Sequence, residues 1–161
     1  MVQQLLRYRT PNLGDVEEIV EVNRLALPEN YPVAYFIQLI KDWKDTSVVA
    51  ELDSQVIGYI ITRIEKQSLF SFKRGHFPRA HIISVAVHPD YRRQGIGRDM
   101  MEFILQKISQ IKGLKEIILE VRVSNYPAIR LYEKFGFYVK EVLDKYYIDG
   151  EAANLMTLPL V

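Results

Sequence analysis

The chain reads as a single α/β domain over residues 1–161, a mixed seven-stranded sheet with helices on both faces. Three observations predict this. Apolar runs of period two and period 3.6 succeed one another in the order β-α-α-β-β-β-α-β-α-β-β. A short apolar strand, Ile82 to Val87, runs through a cationic, glycine-bearing turn straight into a helix. Finally, 161 residues at 48% apolar and 25% charged, without repeats or linkers, suffice for one core needing no disulfide or metal staple.

Leu5 to Arg9 forms the first strand, ended by Thr10-Pro11-Asn12. Val16, Ile19, Val20 and Val22 mark a helix from Asp15 to Leu25, with Asp15, Glu17 and Glu18 suited to its N-terminal dipole. Leu27-Pro28-Glu29-Asn30-Tyr31-Pro32 breaks it, and its two prolines make a rigid loop. A second helix covers Val33 to Trp43. Strands 47–51 and 56–64 flank Leu52-Asp53-Ser54-Gln55 as a hairpin, with a bulge expected at Gly58. Residues 66–78 read as a loop carrying Lys66, Lys73, Arg74 and His76, with Phe70, Phe72 and Phe77 as a lid or as the loop's own packing.

After the central strand, Ile96, Met100, Phe103, Ile104, Ile108 and Ile111 recur along one helix face, which Gly113 is expected to close. Ile117 to Val123 is the next strand. Ser124-Asn125-Tyr126-Pro127 caps a helix with Ala128, Leu131, Tyr132 and Phe135 as its stripe, ended by Gly136. Strands 137–143 and 152–158 pair across Asp149-Gly150.

Composition excludes several functions. A net charge of +1 provides no general field for nucleic acid or an anionic membrane, so any anion site is local and no specific nucleic acid is predicted. The absence of cysteine removes disulfides, thiolate zinc sites and a cysteine nucleophile. No run approaches a membrane span, and Met1-Val2-Gln3-Gln4 lacks the pattern of a secretion signal. A cytoplasmic location is expected.

The turn Arg92-Arg93-Gln94-Gly95-Ile96-Gly97-Arg98 is an anion receptor by construction. A helix N-terminus offers unpaired amides and the positive end of its dipole, and the glycines let a phosphate approach the backbone. Neither the third glycine of a dinucleotide fingerprint nor a Walker A loop is present. The R-R-x-G-x-G spacing after Val85-Ala86-Val87 resembles the pyrophosphate arm of the GNAT acetyltransferases. Two further features share the resemblance: Glu120 to Ile129 followed by Leu131-Tyr132-Glu133-Lys134-Phe135-Gly136-Phe137, and the order of elements. More narrowly, Leu27 to Pro32, His81 to Val87 and Tyr146-Tyr147-x-Asp149-Gly150-Glu151 look like the archaeal N-terminal acetyltransferases, relatives of a eukaryotic subunit that acetylates ribosome-borne chains.

The resemblance implies the GNAT fold, a mostly antiparallel sheet whose fourth and fifth strands splay. Acetyl-CoA is then the donor and a protein N-terminal peptide the acceptor, with ribosome association as a further expectation. Val85, Ala86 and Val87 hold the pantetheine arm through backbone bonds, and Arg93, Gln94, Gly95, Ile96, Gly97 and Arg98 surround the pyrophosphate. Asn125, Tyr132, Glu133 and Lys134 belong to the second cofactor segment, Asn125 having a plain N-cap as its alternative and Tyr132 a core role. Tyr132 would protonate the leaving thiolate. Glu29, Tyr31, Tyr146 and Tyr147 recognise the peptide.

His81 and Glu120 each interrupt an otherwise apolar strand, a costly placement unless paired or wet. They read as a general-base pair acting through water, against the alternative of a Glu120–Arg122 pair with a satisfied histidine. Two such ligands without a third do not make a metal site. A shared base suits an α-amine, roughly a tenth uncharged at neutral pH, far better than a lysine, with fewer than about one in a thousand uncharged. The rivals are an acetyltransferase for lysine or a small amine, and a non-catalytic acetyl-CoA-binding module.

Overall fold

A computed structural model describes residues 5–66 and 77–160. The readings made for 66–78 fall mostly on residues 67–76, outside those described. Among the described residues, four α-helices and seven strands follow the expected order. They are β1 (Leu6–Arg9), α1 (Val16–Ala26), α2 (Val33–Trp43), β2 (Val48–Leu52), β3 (Gln55–Glu65), β4 (Arg79–Val87), α3 (Ile96–Ser109), β5 (Glu116–Arg122), α4 (Tyr126–Lys134), β6 (Tyr138–Leu143) and β7 (Ala153–Pro159). The sheet order is β1-β2-β3-β4-β5-β7-β6. Pairs β1–β2, β2–β3, β5–β7 and β6–β7 are antiparallel and β4–β5 is parallel. The β4–β5 register runs only from Arg79↔Glu116 to Ile82↔Leu119, short of the ends of both strands.

The chain divides into two compact units, Met1–Arg63 with Ile83–Gln110, and Ile64–Ile82 with Ile111–Val161. In unit 1, Ile19, Val22, Phe36, Ile40, Tyr59 and Ile61 form the heart of one buried cluster. The β2–β3 turn places Asp53 and Ser54 at φ of 49° and 71°, the paired left-handed conformation a two-residue hairpin requires. The expected bulge is present one residue earlier than Gly58: Ala50 faces Gly58 and Glu51 faces Val56, leaving Ile57 as the extra residue. Gly58 itself is fixed by space, since a Cβ there would lie 3.1 Å from the Ala86 carbonyl oxygen.

Asp15 stands at the N-cap of α1, as its expected place at the helix N-terminus requires, and is also a buried anchor, bound by Arg9 at 2.7 and 2.8 Å and by the Asn12 amide at 2.7 Å. Burial alone would raise its pKa; these donors outweigh that and hold it below the usual carboxylate range. Gly113 does not close α3, which ends at Ser109; Gly113 turns the chain at φ 87° beyond it.

In unit 2, β5 alternates as its sequence requires. Ile117, Leu119 and Val121 are buried on one face, while Glu116, Glu120 and Arg122 share the opposite face with Ile118, which is buried as well. Tyr132 and Phe137 pack with ring centroids 6.0 Å apart.

Candidate active site

Unit 2 carries the predicted base pair. His81 Nε2 lies 2.6 Å from Glu120 Oε2, so β4 and β5 bring the two residues into direct hydrogen bonding. The other ring nitrogen, Nδ1, lies 2.8 Å from Oε1 of Glu65, the last residue of β3. Arg79 Nε donates to Glu65 Oε2 at 2.8 Å, and its Nη1 lies 3.8 Å from Glu116. Glu116 in turn accepts from Lys140 Nζ at 3.0 Å and from Thr157 Oγ1 at 2.9 Å. A chain of polar groups thus crosses one face of the sheet.

Burial pulls the His81 pKa down, but the hydrogen bonds and charges of Glu120 and Glu65 outweigh it, and the net shift is upward from 6.5. Burial is also the largest influence on Glu116, yet Lys140, Thr157 and Arg79 together hold its carboxyl below the ordinary range.

On the same face of β5, Arg122 donates to Asp149 at 2.8 Å and Glu151 at 2.7 Å, and its guanidinium stands 4.1 Å from the Tyr147 ring centroid. Tyr146 packs edge-on against Tyr147 at 5.0 Å. Glu151 also accepts from the Ser124 amide at 3.0 Å and its hydroxyl at 2.5 Å, tying the β6–β7 hairpin tip to the start of α4. The two tyrosines predicted to meet a peptide are therefore held on a braced tip. Asn125 is the N-cap of α4, its Oδ1 accepting from the Ala128 amide at 3.3 Å. Tyr132 is buried, which pushes its phenol up to about 12. Glu133 and Lys134 are exposed near the end of α4.

Unit 1 carries the predicted anion arm and the first peptide loop. In β4, Ala86 is buried and Val85 and Val87 are half-buried. Gly95 caps α3 at φ 84°, and Arg93 also adopts a left-handed φ of 63°, a conformation that costs a non-glycine residue energy. The first intrahelical bond runs from the Asp99 amide to the Gly95 carbonyl at 3.0 Å. The amides of Ile96, Gly97 and Arg98 precede it, and so have no acceptor within the helix. Arg92 ties the arm down through the carbonyls of Val87, at 3.3 Å, and Ala26, at 3.0 Å.

The Leu27 to Pro32 loop is pinned by Asn23 of α1. Its Nδ2 donates to the Glu29 carbonyl at 3.1 Å and to the Tyr59 hydroxyl at 3.0 Å, and its Oδ1 accepts from the Tyr31 amide at 3.3 Å. Tyr31 also packs on Tyr35 and Phe36, at 5.3 and 6.0 Å between centroids.

Glu65, Arg79 and Asn23 were not singled out in the sequence reading. Asn23 had a visible signal: it stands four residues after Ile19 on the apolar stripe of α1, where an amide must find buried partners.

The strand-turn-helix arm thus belongs to unit 1 and the carboxylate–imidazole pair to unit 2. Residues 16–137 match the model of the acetyltransferase (GNAT) family. Over 160 residues, 96% of this chain and 93% of the relative, the sequence is 44% identical to an N-alpha-acetyltransferase of Sulfurisphaera tokodaii. The fold superposes on crystalline Ard1 from Thermoplasma volcanium with a TM-score of 0.83 at 27% identity, covering 97% and 98% of the two chains. It also superposes on Chaetomium thermophilum Naa20 in complex with a bisubstrate analogue, with a TM-score of 0.81, 28% identity and coverage of 97% and 86%. The chain belongs to the GNAT acetyltransferase family.

Proposed function

We propose that residues 1–161 work as one acetyltransferase domain that moves acetyl from acetyl-CoA to the N-terminal α-amine of proteins in the cytoplasm, on chains emerging from the ribosome. The observation that carries this reading is the 2.6 Å contact between His81 and Glu120 in strands that are otherwise apolar. It is the arrangement a water-mediated general base needs, and a weak, shared base is adequate for an amine already partly neutral. The N-alpha-acetyltransferase relative at 44% identity supports the choice of acceptor.

In this reading the main-chain amides of Ile96, Gly97 and Arg98, with the Arg93 and Arg98 side chains, hold the diphosphate. Gln94 and Gly95 shape that arm, and the backbone of Val85 to Val87 holds the pantetheine. The α-amine attacks the thioester carbonyl directly within a ternary complex; its proton leaves through water to the base as the C–N bond forms, and the C–S bond then breaks to release the thiolate. With its phenol at about 12, far above a thiol near 8.5, Tyr132 stays protonated and stabilises the departing thiolate as a hydrogen-bond donor. Asn125, Glu133 and Lys134 border the cofactor segment. Glu29, Tyr31, Tyr146 and Tyr147 receive the first residues of the peptide. Among the described residues no helix is long and apolar enough to cross a membrane.

A panel of free peptides with open and blocked N-termini tests the reading. Turnover on open peptides and none on blocked ones is expected. Saturable acetyl-CoA binding without turnover on any amine contradicts it, and so does transfer confined to blocked, lysine-containing peptides.

A further inference from the structure

His81 meets a carboxylate at each ring nitrogen, Glu65 at 2.8 Å and Glu120 at 2.6 Å. An ionised carboxylate only accepts hydrogen bonds. A neutral imidazole has one N–H, so it would turn a lone pair toward one of the two carboxylates. An imidazolium satisfies both. The surrounding charges agree: along the chain Lys140, Glu116, Arg79, Glu65, His81, Glu120 the signs alternate, and sum to zero, only when the ring is protonated. Arg79 fixes the orientation of Glu65 by taking Oε2, which leaves Oε1 aimed at the ring.

We propose that Glu65 is a positioning residue that holds His81 as an imidazolium against Glu120, leaving the Glu120 carboxylate as the member of the pair that accepts the substrate proton. This deepens the reading above and rests on it. The proton leaves the amine as the C–N bond forms, passes through water to Glu120, and is later released to solvent. His81 keeps both of its protons throughout. The carboxylates bind opposite ring nitrogens and do not converge on one point, so the arrangement is a fixed ion triad rather than a metal cradle.

Among the described residues, the charged groups on this face of the neighbouring strands are few. They are Arg63 and Glu65 of β3, Arg79 of β4, Glu116, Glu120 and Arg122 of β5, and Lys140 and Glu141 of β6, with Asp149 and Glu151 bound to Arg122. The upward shift of His81 agrees with the carboxylates dominating this set.

Nitrogen- and carbon-resolved NMR of the His81 ring, in the whole protein without peptide or acetyl donor, tests the proposal. Both ring nitrogens are expected to carry protons at neutral pH, with a titration midpoint above the ordinary value near 6.5. Glu65→Gln is expected to lower that midpoint by roughly one unit. It should also lower kcat about tenfold, part of the ~10²–10⁴ a general base supplies, with the KM for acetyl-CoA unchanged. Glu65→Asp should restore part of the midpoint. A singly protonated ring in the wild type at neutral pH overturns the proposal, as does an unmoved midpoint in Glu65→Gln. Should that variant fail to fold, the wild-type spectrum decides alone. Because the spectrum involves no acceptor, a wrong acceptor appears only in the peptide panel and leaves this result standing.

Discussion

Two polar chains run among the apolar elements of this enzyme, and their chemistry is opposite. In unit 1, Asn23, Tyr59 and Ser84 are buried, linked by hydrogen bonds of 3.0 and 2.9 Å, and Asn23 also holds the backbone of the Leu27 to Pro32 loop. Every member is neutral, and burial pushes the Tyr59 phenol up to about 12, so it stays neutral. In unit 2, the chain through His81 is charged at every link and only partly buried, its histidine side chain 14% exposed. A neutral buried network fixes geometry and ignores pH and salt; a charged, half-wet one moves protons and responds to both. The Leu27 to Pro32 loop is thus held by the first kind of chemistry, and the His81–Glu120 pair by the second.

The comparison can be broken most sharply at Glu120. Glu120→Gln keeps the shape and removes the proton acceptor, so kcat should fall about a hundredfold or more, while acetyl-CoA affinity by titration calorimetry stays unchanged. Undiminished turnover would remove the charged chain from the chemistry. Next in size is Asn23→Ala, which strands the Glu29 carbonyl, the Tyr31 amide and the Tyr59 hydroxyl. Urea unfolding should report a loss of roughly 1–3 kcal/mol, with a raised KM for peptide and little change in kcat. A loss of kcat alone would show that Asn23 does more than hold the loop.

The pH dependence of stability sharpens the contrast. The folded-state pKa of His81 is raised, so its contribution is fully present below the unfolded value near 6.5 and is lost as pH rises through the higher folded value. The stability difference between wild type and His81→Gln should therefore shrink with rising pH, by no more than about 1.4 kcal/mol per unit. The corresponding difference for Asn23→Ala should stay flat over the same range. The smallest effect belongs to Lys140→Ala. Lys140 is half-exposed at the outer end of the charged chain, and its loss should cost at most about 0.5 kcal/mol and shrink in high salt.

The sequence disclosed local features and concealed cross-strand ones. Helix α2 was read to the residue, because Pro32 fixes its start and Phe36 and Ile40 mark its stripe. The Asp53-Ser54 hairpin and the His81 and Glu120 positions were visible because turn chemistry and a charge in an apolar run are local signals. The end of α3 was misjudged because Ile111 continues the apolar spacing past Ser109. Glu65 falls between the strand expected at 56–64 and the loop expected at 66–78, and carries no local signal of its own. Only the meeting of β3 and β4, which brings Arg79 back from 14 positions further along the chain, reveals it as a partner of the histidine. The pairing of Arg122 with Asp149 and Glu151 is equally non-local, 27 and 29 residues apart.

One measurement reaches the centre of the account: incubating the enzyme and acetyl-CoA with a single peptide carrying both an open N-terminus and an internal lysine, then locating the acetyl group by tandem mass spectrometry. The α-amine should be modified with a preference of at least about a hundredfold, following the neutral fractions of the two amines at neutral pH. Acetyl appearing first on the lysine would contradict the assignment of an α-amine acceptor.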